Sequence, residues 1–406
     1  MSTQATAAEE RIRAAVEALE PDLIGVRDAL FAHPEVKWQE HRSAELLSER
    51  LEQGGFVVTR GVADLPTAFV GVAGTGPRHV GIVLEYDALP GLGHACGHNI
   101  IAAAGLGAAL ALASVADELG ITVEAIGTPA EEGGGGKILM LDAGVFDHLD
   151  FAMMVHPGPA DSAWARPLAV AHLDVRYTGV GSHASAYPEA GVNASDAMVI
   201  AQVAIGMLRQ QLPAGVRVHG VVSEAGTAPN AIPASAAGHW YVRAQTLEQL
   251  DGVFEKVMRC FEAGALATGC EFSSEETSPR YSEFRNDPGL LERFVAWAAA
   301  QGRDMDVHER RPGGMNTAST DMGNVSRRIR AIHPYLGIES LPAVNHQAAF
   351  ADATMTPAGA RAVIDGALLM ALTVADECGA GGGANDHTAG TDVNPADLTT
   401  KSTTKH

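Results

Sequence analysis

HVGIVLEY, residues 79–86, begins a strand–helix–strand pattern that indicates the fold class. It is a short apolar run with β-branched residues, which is typical of a buried strand. NIIAAAGLGAALALASVADEL (99–119) then has the length and the Ala and Leu content of a helix, and ITVEAIGTP (121–129) is a second strand-like run. Strand, helix and strand in this order predict an α/β fold whose sheet is largely parallel and buried.

The neighbouring segments continue the alternation. Helical spacing runs through residues 5–32 and again through HRSAELLSERLEQGGF (41–56), and AFVGVAG (68–74) is strand-like. Downstream, GGKILMLDAGVF (135–146) predicts a short helix and LDFAMMVH (149–156) another strand. We therefore expect a mixed, mostly parallel sheet flanked by helices.

The pattern changes near residue 168, where a second unit begins. Strand, helix, two strands, helix and strand follow one another, and this βαββαβ order is typical of a self-contained small domain. We predict a large domain from residues 1–168 and 283–378, with the small domain inserted at 169–282. Residues 379–406 lack apolar periodicity and are predicted to form a disordered tail.

The charge balance limits the partners. Lys and Arg number 28 against 49 Asp and Glu, which gives a net charge of −21. A chain this acidic repels extended anionic partners, so we expect it to bind neither nucleic acid nor an acidic membrane surface. Small neutral or cationic substrates remain compatible with this charge.

Cysteine use and hydropathy indicate the compartment. The four cysteines are scattered along the chain, which does not suggest a disulfide framework. The first residues, MSTQATAAEE, contain no basic run before an apolar core. No uncharged apolar stretch reaches the ~18 residues of a membrane span. We therefore expect a cytoplasmic protein.

Side chains able to bind metal or transfer protons follow the predicted strands. In open α/β sheets, ligands bind at the carboxyl ends of the strands, so these separate segments can meet in one cleft. In chain order the candidates are Asp87, Cys96 with His98, Glu131 with Glu132, and His156.

Taken alone, GLGHACGHNI (91–100) has three interpretations: a metal site, a thiol nucleophile with its base, or a buried turn. The adjacent carboxylates of Glu131 and Glu132 favour the metal, because a cation offsets the repulsion between them. The two carboxylates can also have different roles: one can bind the metal while the other accepts the proton of the attacking water.

Several motifs together resemble a known family. They are EYDALPGLGHACGHN (85–99), GTPAEEGGGGK (127–137), MMVHPGP (153–159), GVGSHASAYPEAGVNASDA (179–197) and VNHQAAFA (344–351). Their order and spacing resemble those of the dinuclear metallopeptidase and amidohydrolase family that includes carboxypeptidase G, aminoacylase and the auxin-conjugate hydrolases. The chain looks closest to the branch that contains aminobenzoyl-glutamate hydrolase and Xaa-Arg dipeptidase.

The resemblance implies two divalent ions per subunit, zinc, manganese or cobalt, and it assigns roles to residues. Glu131 would be the general base, and Asp87 would orient a ligand from behind the metals. Cys96 would be a ligand shared by both ions. The other implied ligands are His98, Glu132, His156 and His346.

In the small domain, the resemblance implies a lid that also forms a homodimer. His183 would reach the partner subunit's active site and stabilise the oxyanion of the intermediate. Asn230 and Arg243 match positions that bind the substrate carboxylate or support the oxyanion. The chain departs from the auxin-conjugate branch at Asn99, where those relatives carry Asp, so a carboxylate near the metals is replaced by an amide.

These observations predict a metal-dependent hydrolase of amide bonds in N-acyl amino acids or dipeptides. Two alternatives remain open. Cys96 could attack as a thiol nucleophile with a histidine base, although this leaves the carboxylates and other histidines without roles. The chain could also be an inactive relative that binds a ligand in the same cleft, which the retained base and ligands disfavour.

Overall fold

The predicted βαβ core is present in the computed structural model, which describes residues 3–307 and 318–379. Apart from Gly379, the tail predicted for residues 379–406 lies outside the described residues. The helices of the described residues are α1 Thr3–Ala32, α2 His41–Gln53, α3 His98–Ala113, α4 Ala116–Leu119, α5 Gly136–Asp142, α6 Ala194–Leu208, α7 Leu247–Thr268, α8 Pro288–Ala300, α9 Met322–Ser326, α10 Ala348–Thr354 and α11 Pro357–Gly379. The strands are β1 Val57–Arg60, β2 Phe69–Gly74, β3 Arg78–Glu85, β4 Ile121–Thr128, β5 Phe151–Met153, β6 His156–Gly158, β7 Ala169–Thr178, β8 Arg217–Glu224, β9 Ser235–Ala244, β10 Glu271–Glu276, β11 Arg330–Ile332 and β12 Tyr335–Gly337.

The large domain contains a six-stranded sheet in the order β1-β2-β4-β3-β5-β11. The pairs β4–β3, β3–β5 and β5–β11 are parallel, whereas β1–β2 and β2–β4 are antiparallel. Every residue of β4 is buried, because helices cover the central strands. The sheet is therefore mixed and mostly parallel, as predicted.

Helices α1, α3 and α11 pack against one another, and α3 packs against β3 and β4 of this sheet. Almost all of α3 is buried, which explains why its sequence is apolar on every side rather than amphipathic. Helix α11 is long and apolar enough to cross a membrane, but 78% of its most apolar window is buried inside the protein. It therefore behaves as a core helix.

The small domain is an antiparallel sheet, β10-β7-β9-β8, with α6 and α7 packed on one face. Along β7, Leu173, Val175 and Tyr177 are buried while Arg176 and Thr178 are exposed. This alternation is typical of an antiparallel sheet with one face on a core and one face toward solvent. The predicted fold class, with its separate βαββαβ unit, is confirmed.

The topology determines where the polar side chains meet. Strands β3, β4 and β5 run in the same direction, so the segments that follow them lie at one edge of the sheet. Strand β6 follows β5 there and pairs in parallel with β12. This edge receives the side chains that the sequence singles out.

Candidate metal centre and active site

The loop between β3 and α3 brings Cys96 against the strand that carries His156. Gly97 has φ +88°, and a Cβ at this position would lie 2.4 Å from Cγ of Pro157. Only glycine permits both this backbone conformation and this close approach. As a result, Cys96 Sγ lies 3.6 Å from Nε2 of His156.

His98, the first residue of α3, is fully buried and held by a carboxylate. Its Nδ1 lies 3.0 Å from Oδ1 of Asp87, whose Oδ2 accepts a hydrogen bond of 2.9 Å from the Glu132 backbone N–H. A proton on Nδ1 leaves Nε2 with a free lone pair. Asp87 therefore orients His98 and also fixes the backbone of Glu132.

The ring of His156 is fixed in the same way by a backbone carbonyl. Its Nδ1 donates to Pro157 O at 2.8 Å, so the unprotonated Nε2 faces the sulfur of Cys96. Donor atoms of Cys96, His98 and His156 all lie within 4.8 Å of one another, and all three residues are buried. They form the first of two donor sets.

The second donor set also contains Cys96. Its sulfur, a carboxylate oxygen of Glu132 and an imidazole nitrogen of His346 lie within 4.8 Å of one another. Nε2 of His346 is 3.4 Å from Oε1 of Glu132. Cys96 thus lies between the two sets, where a ligand shared by two ions would have to be.

The neighbouring asparagine connects the three segments that supply these donors. The Asn345 amide nitrogen donates to the carbonyl oxygens of Cys96 and Pro157, at 3.2 Å each. His346 itself has φ +68°, which is uncommon for a residue other than glycine, and its N–H bonds to Ala95 O at 2.8 Å. Such strain is typical of functional sites that the surroundings hold in place.

The glycine run 133–136 folds Glu131 and Glu132 back toward the cluster. Gly133 and Gly135 have positive φ, and a Cβ on Gly136 would lie 1.9 Å from the carbonyl oxygen of Pro129. No residue with a Cβ fits that approach, so the four glycines form a tight turn. The hydroxyl of Tyr281 donates to Glu131 O at 2.7 Å and holds the same turn.

Burial sets the proton affinities at this site. It raises the pKa of the Cys96 thiol well above its usual value, and the nearby Glu132 charge raises it further. Burial also raises the pKa of Glu131, with Glu85 and Glu132 adding to the effect, and it lowers the pKa of His156. A divalent cation would stabilise thiolate, carboxylate and neutral imidazole together.

The residues fit a pair of metal ions. Nε2 of His98 and Oε1 of Glu132 are buried and make no hydrogen bond within the part of the chain that the structure describes. Both residues belong to the donor sets, and sulfur, nitrogen and oxygen donors together suit zinc and similar first-row ions. We call the whole group the donor cluster: Cys96, His98, Glu131, Glu132, His156 and His346.

Next to the donor cluster lies a buried ion-pair network that the sequence did not reveal. The Nζ of Lys137, which is fully buried, lies 2.6 Å from Oε1 of Glu85 and 2.7 Å from Oδ1 of Asp321. The other carboxylate oxygen of Glu85 is 3.6 Å from Nε2 of His98. Lys137 therefore neutralises acidic groups directly beside the candidate ligands.

The predicted small-domain residues lie apart from the donor cluster. His183 is exposed, and its Nδ1 accepts backbone hydrogen bonds from Ser185 and Ala186, which leaves the Nε2 N–H free to donate. Asn230 is also exposed, in a loop whose carbonyl accepts from the Ala184 N–H beside His183. These two residues thus share one surface of the small domain.

Arg243 lies at the junction of the two domains. It is half-buried, and its guanidinium donates to Ser319 Oγ at 2.6 Å and contacts the ring of Tyr241. Glu131 is close enough to raise the pKa of Arg243, although burial outweighs this effect and lowers it overall. Of the three predicted small-domain residues, Arg243 is the one this protomer places near Glu131.

Asn99 faces away from the ligands. Its side chain is fully buried and its Nδ2 donates to Thr354 Oγ1 at 3.1 Å, on α10. The carboxylate that bonds to His98 is supplied by Asp87 instead. In this structure the amide at position 99 joins α3 to α10 rather than bonding to a donor of the cluster.

Comparisons with known proteins show which family the chain is similar to. The profile of peptidase family M20/M25/M40 matches residues 84–363. The Xaa-Arg dipeptidase of Mus musculus is 37% identical over 383 residues, covering 91% of this chain and 88% of that protein. One of the p-aminobenzoyl-glutamate hydrolase subunits of Escherichia coli (strain K12) is 33% identical over 275 residues, covering 63% of this chain and 57% of that protein.

Solved structures share the fold. The Bacillus subtilis YXEP protein, described as a dinuclear metal binding peptidase from the M20 family, superposes with a TM-score of 0.64. The sequence identity is 23%, and the match covers 88% of this chain and 98% of that one. At this identity the superposition establishes the architecture of both domains.

Proposed function

Since the chain belongs to peptidase family M20/M25/M40 and is a metal-dependent hydrolase of peptide or amide bonds, we propose that it cleaves dipeptides or N-acyl amino acids with two divalent ions per subunit. Membership of this family confirms the resemblance stated from the motifs. The observation that carries the finer proposal is the position of Cys96 in both donor sets.

The ions would be held by Cys96 with His98 and His156, and by Cys96 with Glu132 and His346. Zinc, manganese or cobalt at such a site lowers the pKa of water and polarises the scissile carbonyl. Glu131 accepts the proton of the attacking water and then donates it to the leaving amine. Burial and acidic neighbours raise the pKa of Glu131, which strengthens its carboxylate as a base.

The small domain would bind the substrate. Arg243 supplies a fixed guanidinium near Glu131 and is suited to a substrate carboxylate, with Asn230 as an amide donor. Similarity to a protein named Xaa-Arg dipeptidase makes dipeptides with a basic C-terminal residue the first class to test.

The test of this proposal is a substrate panel combined with metal analysis. Dipeptides ending in Arg or Lys, p-aminobenzoyl-glutamate and N-acyl amino acids would be assayed with zinc, manganese or cobalt and after chelation. We expect up to two ions per chain and turnover that chelation removes. A protein that holds no divalent ion, or that cleaves no compound of the panel, would contradict the proposal.

Replacing Cys96 separates metal binding from thiol chemistry. Cys96→Asp is expected to keep metal and measurable activity, because a carboxylate can bind both ions but cannot attack as sulfur does. Cys96→Ala should lose metal. Cys270→Ala, at another buried cysteine outside the site, is the control and should behave as wild type. Full metal content with no activity in Cys96→Asp would instead favour the thiol nucleophile.

The small domain carries an apolar surface suited to a homodimer. Val199, Val203 and Met207 are 53%, 57% and 73% exposed and follow one another at four-residue spacing along one face of α6. We propose that this surface pairs two subunits, so that His183 donates its Nε2 N–H to the oxyanion in the partner's site.

Mixed dimers test this arrangement. His183→Ala and Glu131→Ala subunits are each expected to be inactive alone. Refolded together in equal amounts, they should recover about a quarter of the wild-type activity, because half the dimers are mixed and each of these has one intact site. Activity would be measured on the refolded mixture, without separating the mixed dimers from the two parents. If the mixture stays as inactive as its parents, His183 does not act across the dimer.

A further inference from the structure

Another group of donor side chains lies at the opposite edge of the large sheet. His79 Nδ1 lies 2.8 Å from Oε1 of Glu124, and His148 Nε2 lies 2.7 Å from the same oxygen. We propose that His79, Glu124 and His148 form an accessory binding site for a divalent first-row cation of the zinc type. The site would join β3, β4 and the loop before β5.

This site is separate from the donor cluster. His79 is near the start of β3 and Glu85, beside His98, is its last residue. Six residues of extended strand at ~3.3 Å each place the two ends about 20 Å apart. An ion at His79 therefore cannot take part in the proposed hydrolysis, and the two sites can be tested independently.

The geometry of the three side chains suits one ion. Their donor atoms all lie within 4.8 Å of one another. Two imidazoles bound to one zinc ion at about 2.0–2.1 Å with tetrahedral angles have ring centroids about 5 Å apart. The rings of His79 and His148 are 5.2 Å apart and nearly perpendicular. The rings have the spacing of two ligands on one ion, and the contacts to Glu124 would lengthen by about 0.6 Å to reach tetrahedral ligand spacing.

Burial and charge favour a cation at this position. Glu124 is 3% exposed on the central strand β4, where an uncompensated carboxylate is costly. The two imidazoles are 35% and 50% exposed, so an ion can enter from solvent and keep an open position for water. One divalent ion would neutralise the buried carboxylate and bind both rings at once.

The segments that carry the histidines are already tied together. The backbone N–H of His79 donates to Oδ2 of Asp150 at 2.7 Å, and the Asp150 N–H donates to His79 O at 2.9 Å. Asp150 follows His148 by two residues, so this pair fixes the loop against the start of β3. Preorganised ligands of this kind lose little conformational freedom when a metal binds.

The competing explanation is that both imidazoles only donate hydrogen bonds to the carboxylate. The chain contains a matched example in His239, whose Nδ1 lies 2.7 Å from Oδ1 of Asp174. That pair is about as exposed as His148, at 55% and 45%, but among the described residues it has no third ligand. His239→Ala therefore removes a histidine–carboxylate pair without removing a site with three ligands.

The experiment counts zinc on the intact protein. Wild type, His148→Ala, Glu124→Gln and His239→Ala would be equilibrated with buffered zinc and analysed for bound metal per chain. Hydrogen exchange of residues 143–150 would be followed with and without zinc. His148 is half exposed, so its replacement leaves the core intact, and Glu124→Gln keeps the volume of the buried side chain.

We expect His148→Ala and Glu124→Gln to lose one zinc per chain, while His239→Ala matches wild type. Zinc should slow exchange in 143–150 only where the three ligands are intact, and all four proteins should keep the same hydrolytic activity. Equal zinc in every variant would overturn the proposal, as would an equal loss in His239→Ala, which indicates surface binding. The proposed hydrolysis would survive either result.

Discussion

Replacing Glu131 with glutamine is expected to lower kcat/KM by about 10²- to 10⁴-fold while leaving the metal content unchanged. General acid–base catalysis contributes about this much, and glutamine keeps the shape of the side chain but cannot accept the proton of water. The carboxylate of Glu131 is buried beside His98, with 3.8 Å between Oε2 and Nε2. Initial rates and metal analysis on the same preparation measure both quantities.

The control is Glu20→Gln on the exposed surface of α1, which should keep wild-type kinetics. If Glu131→Gln retained more than a tenth of the activity, another group would be the base. If the wild type bound metal but cleaved no substrate, the alternative of an inactive relative that binds a ligand would be favoured. The two measurements together therefore separate loss of the base from loss of the metal.

Replacing Lys137 with methionine is expected to lower the free energy of unfolding by about 3–5 kcal/mol. Methionine fills a similar volume, so the effect comes from leaving Glu85 and Asp321 buried without their cation. Denaturant unfolding followed by circular dichroism measures the change. Lys256→Met on the exposed surface of α7 is the control and should change stability by less than about 0.5 kcal/mol.

The pH dependence of the stability lost in Lys137→Met shows whether the missing positive charge causes the loss. Burial already raises the pKa of Asp321 to about 6, even with Lys137 beside it. When the pKa of a carboxyl is higher in the folded state than in the unfolded state, the protein loses stability as pH rises from the unfolded-state pKa to the folded-state pKa. The difference in free energy of unfolding between wild type and Lys137→Met should therefore be largest above pH 6 and shrink toward pH 4. A deficit that does not change with pH would indicate a packing defect instead.

Much of the fold could be predicted because its signals are local. The apolar runs that became β3 and β4 and the helix between them differ in length and periodicity, and these differences can be recognised in sequence. Five of the six donors in the cluster could also be predicted, because each of them follows a predicted strand or begins a helix. The motifs of a known family then added His346, which no local pattern would have selected.

The network around Lys137 could not be predicted in the same way. A lysine at the start of an apolar run, KILML at 137–141, looks like a solvated residue at a helix start. Its burial depends on Glu85 and Asp321, which come from distant parts of the chain and meet only in the folded protein. The hydrogen bond from the Asn99 amide to Thr354 could not be predicted either, because the two residues are distant in sequence and meet only in the folded protein.

The shared position of Cys96 has a thermodynamic consequence. The first cation to reach the thiol must displace a proton that burial holds firmly, whereas a second cation meets a thiolate already formed. Binding at one donor set therefore aids binding at the other, against the mutual repulsion of the ions, and by reciprocity release from one weakens the other. The single proton of the thiol therefore couples occupancy of the two donor sets, in opposition to the repulsion between the ions.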